Sequence, residues 1–125
     1  KNVTTHKLQI QSLTGGTEYC NYIMTNNWSP SANTWYHIAF VRSSTSIYIF
    51  IGGTSQSLTA TTAVSTNSFV NVAGIMKVGT QDETNNVNGW IDEFRVSKGI
   101  ARWTANFTPP TRAYGKGMSG AYLFF

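Results

Sequence analysis

Trp35-Tyr36-His37-Ile38-Ala39-Phe40-Val41, then Arg42-Ser43-Ser44-Thr45-Ser46, then Ile47-Tyr48-Ile49-Phe50-Ile51-Gly52-Gly53 is the stretch whose reading decides the fold. Side chains alternate between the two faces of a strand, so Tyr36, Ile38 and Phe40 share one face and Trp35, His37, Ala39 and Val41 the other. The second run repeats the pattern, with Ile47, Ile49 and Ile51 opposing Tyr48 and Phe50. Both faces of both runs are apolar. Such a pair needs cover on two sides, which places it centrally in a packed sheet. The short polar link reads as a hairpin connection and Gly52-Gly53 as a tight turn.

The same grammar extends outward. Upstream, Lys7 to Leu13 sets Leu8 and Ile10 against Lys7, Gln9 and Gln11, and Thr14-Gly15-Gly16 closes the run. Tyr19 to Met24 reads as its antiparallel return, and Thr25 to Asn33 as a loop rich in Asn and Ser. Downstream come a polar strand from Ser55 to Ala60 and short strands over Ser65 to Val72 and Ile75 to Val78. A polar loop from Gln81 to Asn88 follows, then a strand from Gly89 to Val96 and one helical turn within Ser97 to Thr104. Pro109-Pro110 enforces extended backbone, and Ala121 to Phe125 is a last apolar strand. About nine short strands at this spacing predict an all-β sandwich of two antiparallel sheets.

The 125 residues suit a single domain over 1–125. Charged residues make up 11% of the chain, well below the usual share of about a quarter, and a Thr-, Ser- and Asn-rich surface suits a virion surface or an extracellular setting. The net charge of +4 comes from scattered cations, of which only Arg95 to Arg102 approach a cluster, so no nucleic-acid partner is expected. Cys20 is alone, which rules out an intrachain disulfide, and its strand setting predicts a small buried hydrophobe. No apolar run reaches the ~18 residues of a membrane-spanning helix. The chain opens on Lys1-Asn2-Val3 rather than on Met, as expected of the C-terminal part of a longer protein.

Three segments in order resemble the concanavalin A-like lectin/glucanase superfamily in its laminin G-like form. They are residues 35–42, residues 47–53, and Val78-Gly79 with Gly89-Trp90-Ile91-Asp92-Glu93-Phe94-Arg95-Val96. The continuation from Ser97 through Ile100-Ala101-Arg102-Trp103 to Phe107-Thr108-Pro109-Pro110 is similar to versions found in bacteriophage structural and tail proteins. The resemblance implies a jelly-roll sandwich with core positions for Trp35 and Trp90 and a structural role for His37. It also implies that one or more strands usually precede the segment matching Lys7, so this sandwich is expected to lack N-terminal strands. An edge left open in that way promotes assembly into an oligomer with neighbouring virion or fibre subunits. That step follows from the open edge, not from the family.

Glucanases of the superfamily set two carboxylates on one face of one strand. Asp92 and Glu93 are adjacent and so point to opposite faces, while Glu18, Asp82 and Glu83 offer no evenly spaced pair. No enzyme activity is expected. For calcium, Asp82 and Asp92 are the candidate ligands, with Asn85 and Asn86 supplying further hard oxygens; no other cofactor is called for. The rival reading takes Asp92 as a loop-fixing acceptor that also pairs with Arg95 and Arg42. For glycans, Trp28 is the candidate stacking platform, because it sits in a polar loop flanked by Asn26, Asn27 and Ser29, with Asn85 and Asn86 on the same rim. Trp103 and Phe107 are expected to pin the 97–110 segment to the sheet. Two functions remain: a virion structural or decoration module, and a lectin-like adhesion domain that contacts host glycans.

Overall fold

The computed structural model describes residues 6–67, 69, 76–80 and 86–113. Among them are six strands and no helix: β1 (Gln9–Thr14), β2 (Thr17–Met24), β3 (Ile38–Ser43), β4 (Ser46–Ile51), β5 (Thr54–Ser55) and β6 (Leu58–Thr62). They form two antiparallel sheets of three strands, β1-β2-β6 and β3-β4-β5. The all-β, two-sheet architecture is the one expected of a jelly-roll sandwich.

Turn chemistry sets the hairpins. Gly15 and Gly16 (φ 57° and 79°) join β1 to β2, and Gly52 and Gly53 (φ 58° and 80°) join β4 to β5. A two-residue link with positive φ at both positions twists in the same sense as the strands it joins, and glycine adopts it without a steric penalty. The β3–β4 turn uses Ser44 at φ 52° instead, and Arg42 Nε steadies it by donating to the Ser44 carbonyl at 3.0 Å. The chain then crosses between sheets at Gln56 and Ser57. Gln56 N–H still bonds the Ile49 carbonyl of β4, while the Ser57 carbonyl already accepts Thr25 N–H beyond β2, both at 2.8 Å.

The central pair is buried on both faces, as its sequence demands. Between the sheets, Cys20, Ile47 and Val64 form a cluster with Ile10, Tyr22 and Leu58, and Met24 and Ile49 are also fully buried. On the opposite face of β3 and β4, Ala39, Val41 and Phe50 are covered by Ala101, Trp103 and Phe107. Phe50 is fully enclosed, a burial worth about 2–3 kcal/mol.

Several expectations need correction. β3 begins at Ile38 rather than Trp35, because its register with β4 starts at Ile38↔Ile51 and the Gly52-Gly53 turn removes any partner for residues before His37. Trp35 therefore lies beyond the sheet and is 69% exposed, not in the core. The polar run read as one strand over 55–60 is split by the crossover into β5 and β6. Residues 89–96 form no strand and residues 97–104 no helical turn. Without a strand partner Trp90 is 82% exposed. The strand expected at Ala121–Phe125 and most of those expected over 65–72 and 75–78 lie outside the described residues.

Candidate binding surfaces

The β2–β3 loop carries Trp28. Its N–H donates to the His6 carbonyl, and its ring meets Tyr36 edge-on at 5.1 Å with planes 88° apart. Tyr36 is held in turn by Ser31 N–H, which donates to the phenolic oxygen at 2.9 Å; that bond leads the causes holding the Tyr36 pKa below its ordinary value. Trp28 is thus half-buried as a loop anchor, with part of its surface still open, and Asn26 and Asn27 are exposed beside it.

The second expected rim is described only in part. Asn85 and Asp82 lie outside the described residues, while Asn86 pairs with Thr80 in an antiparallel bridge and Val87 N–H bonds the Gly79 carbonyl. Asp92 Oδ1 accepts the N–H of Glu93 at 2.8 Å, where Glu93 takes a positive φ of 52°. That is the loop-fixing role, although the expected Arg42 partner is engaged elsewhere. The Arg42 guanidinium donates to the Ser44, Ser65 and Asn67 carbonyls and lies over the Phe69 ring at 4.5 Å. Among the described residues no three His, Cys, Asp or Glu side chains gather as a metal site.

The groups an acid–base mechanism would need are committed to other contacts. Glu18 accepts from the Thr62 hydroxyl and the Gln11 and Asn21 amides on the outer face of the first sheet, and these bonds hold its carboxyl below its ordinary pKa. His37 stands edge-on to Trp103 and Phe107 at 5.6 and 5.5 Å, and its Nδ1 is buried without a hydrogen-bond partner. No acid orients that imidazole through Nδ1, as a Ser-His-Asp unit requires.

Two features escaped the sequence. One is a run of exposed apolar side chains, Val87, Trp90, Ile91, Phe94, Val96 and Ile100. Its period-2 spacing signals a buried strand, so only the absence of a sheet partner reveals it as surface. The other is a cleft of about 420 Å³ at the crossover, between Tyr22 and Leu58 of the first sheet and Ser46, Ile47 and Tyr48 of the second, with Gln56 at its end. It joins residues more than thirty positions apart, which no local pattern could show.

The family model described as the concanavalin A-like lectin/glucanases superfamily, of laminin G type, matches residues 2–102, most of the chain. The chain belongs to this superfamily. No curated protein and no solved structure matches it. Superfamily membership accords with the two-sheet fold and with a lectin-like or structural module. The superfamily's own name spans sugar binding and hydrolysis, so role must be argued from surfaces rather than from fold.

Proposed function

We propose that this domain is a non-catalytic structural module of a bacteriophage virion or fibre, lying at the virion surface and joined to neighbouring subunits. The supporting observation is the exposed apolar run from Val87 to Ile100, with Trp90 at its most open point. Contiguous apolar surface of this kind on a soluble domain marks a contact with another macromolecule, and exposed tryptophan is a frequent energetic anchor of protein interfaces. The phage attribution rests on the resemblance of residues 97–110. The non-catalytic assignment rests on the carboxylates: Asp92 and Glu93 are adjacent, and Glu18 is engaged by its own sheet.

Light scattering on the purified chain tests the assembly. A stable oligomer is expected, unchanged by calcium, and the double substitution Trp90→Ser, Phe94→Ser is expected to dissociate it. A monomer at all concentrations would overturn the reading. An oligomer that forms only with calcium would shift attention to Asp92 and Asp82 as ligands.

A second reading, glycan adhesion, draws support from Asn26 and Asn27, which lie exposed beside the partly open Trp28. Planar amides next to an indole suit a sugar ring. A glycan array with a Trp28→Ala control tests it.

A further inference from the structure

The cleft at the sheet crossover has a chemistry of its own, and we infer that it is a binding site for a neutral saccharide of one or two rings. For the class of ligand, the inference rests on the adhesion reading above; the site is a different one from the Trp28 loop.

The argument begins with the strand edge. The Ile49 carbonyl accepts Gln56 N–H at 2.8 Å, on the side of β4 that faces β5. Alternate residues of a strand turn their amides to the same side, so Ile47 presents its N–H and C=O there as well. β5 pairs only with Phe50 and Ile51, so it supplies no residue opposite Ile47. The cleft therefore contains a backbone donor and acceptor side by side, a pair that two vicinal hydroxyls can meet together.

The side chains add complementary groups. Tyr22 accepts Val64 N–H at its phenolic oxygen, at 3.1 Å, which leaves the phenolic proton as a donor. Gln56 Nε2 donates to the Thr54 carbonyl at 2.9 Å, so Oε1 is the accepting end of a fixed amide. Ser46 supplies a hydroxyl, and Leu58 and Tyr22 supply apolar surface for the C–H face of a ring. None of the lining residues carries a charge, which disfavours acidic sugars, phosphates and cations. The volume of about 420 Å³ is at the small end of ligand pockets, the size of a mono- or disaccharide rather than a long chain.

The test is a heteronuclear NMR titration of the intact chain with methyl glycosides of glucose, galactose, mannose and N-acetylglucosamine. N-acetylneuraminic acid and a tetra-alanine peptide serve as contrasting probes. At least one neutral glycoside is expected to shift the Ile47 amide and its neighbours Ser46 and Tyr48. Gln56→Ala should weaken that binding about three- to tenfold, the loss of one hydrogen bond, while the spectrum itself confirms that the variant is folded. Trp28→Ala should leave these shifts unchanged. Shifts confined to residues 26–29 and abolished by Trp28→Ala would overturn the cleft and keep the adhesion reading. No shift anywhere would overturn both. Equal or stronger binding of the acidic sugar would overturn the neutral assignment, and a stronger response to the peptide would replace the saccharide by an added strand.

Discussion

Trp103 lies flat on Phe107, with ring centroids 4.0 Å apart and planes 7° from parallel. The stacked pair closes over the outer face of the β3-β4-β5 sheet, where Phe107 also meets Phe50 edge-on at 5.3 Å. Phe107 N–H donates to the Gly53 carbonyl at 3.0 Å, so one residue joins the segment to the sheet through both ring and backbone. A segment without helix or strand is thereby fixed by aromatic packing, and Phe50 obtains the cover that its sheet face lacks.

Phe107→Ala should therefore expose Phe50 and release the segment around it. Full burial of Phe is worth about 3–5 kcal/mol on truncation to Ala; Phe107 is only half-buried, so a loss of about 2–3 kcal/mol is expected in urea unfolding. Trp103→Ala should cost less, because it leaves the backbone bond to Gly53 in place. A Phe107→Ala midpoint equal to that of the parent would refute the packing role.

The two glycines of the β4–β5 turn should respond differently to alanine. Both have positive φ, which costs a non-glycine residue about 1–2 kcal/mol. A Cβ at Gly52 meets nothing, whereas a Cβ at Gly53 runs into the Phe107 carbonyl oxygen and approaches Pro109 Cδ at 3.0 Å. Gly53→Ala is expected to be clearly the more destabilising and to raise proteolysis within residues 101–110. Equal loss from both substitutions would mean that turn strain alone governs them.

Glu18 sets an acid limb to stability. Its Thr62 bond, then its Gln11 bond, followed by that of Asn21, lower the folded-state pKa against an opposing desolvation. A carboxylate with a lowered folded pKa stabilises the fold above its unfolded pKa and loses that contribution as pH falls through the folded value. Glu18→Gln should therefore flatten the decline of thermal stability below about pH 4.5 and lower stability slightly at neutral pH. Because the group is exposed, the effect should also shrink with added salt. An unchanged acid limb in the variant would remove Glu18 from the account.

Cys20 is fully enclosed between the sheets, and desolvation pushes its thiol pKa up. Thiolate is the reactive form, so a disulfide reagent at pH 8 should leave the folded chain unlabelled and modify its single thiol after unfolding. Rapid labelling of the native protein would show that the two sheets open readily.

The legible parts of the fold were those carried by neighbouring residues. The Gly15-Gly16 and Gly52-Gly53 turns, the two-faced burial of β4 and the enclosure of Cys20 all followed from local pattern. Trp103 and Phe107 were also placed correctly, because paired aromatics in a Pro-bounded segment have few ways to be satisfied. Trp35 and Trp90 were misplaced for a common reason. Alternation states that a residue is suited to a strand, but not that a neighbouring strand is there to receive it. The Trp28 loop was found as a polar stretch, while its edge contact with Tyr36 depends on how the loop folds back.

Sequence alone determined that the chain is all-β, where its tight turns fall, which strand pair must be buried on both faces and which superfamily it resembles. These properties follow from side-chain alternation and from glycine's freedom at positive φ, both local. Tertiary structure alone decided where strands end, which apolar run stays exposed and that a cleft opens beside Ile47. Those outcomes depend on pairing between distant segments: β4 outruns β5, the chain crosses at Gln56, and Tyr22 of the other sheet meets the edge so exposed. Backbone hydrogen bonding is satisfied by partners, and a sequence lists residues without listing who stands opposite them.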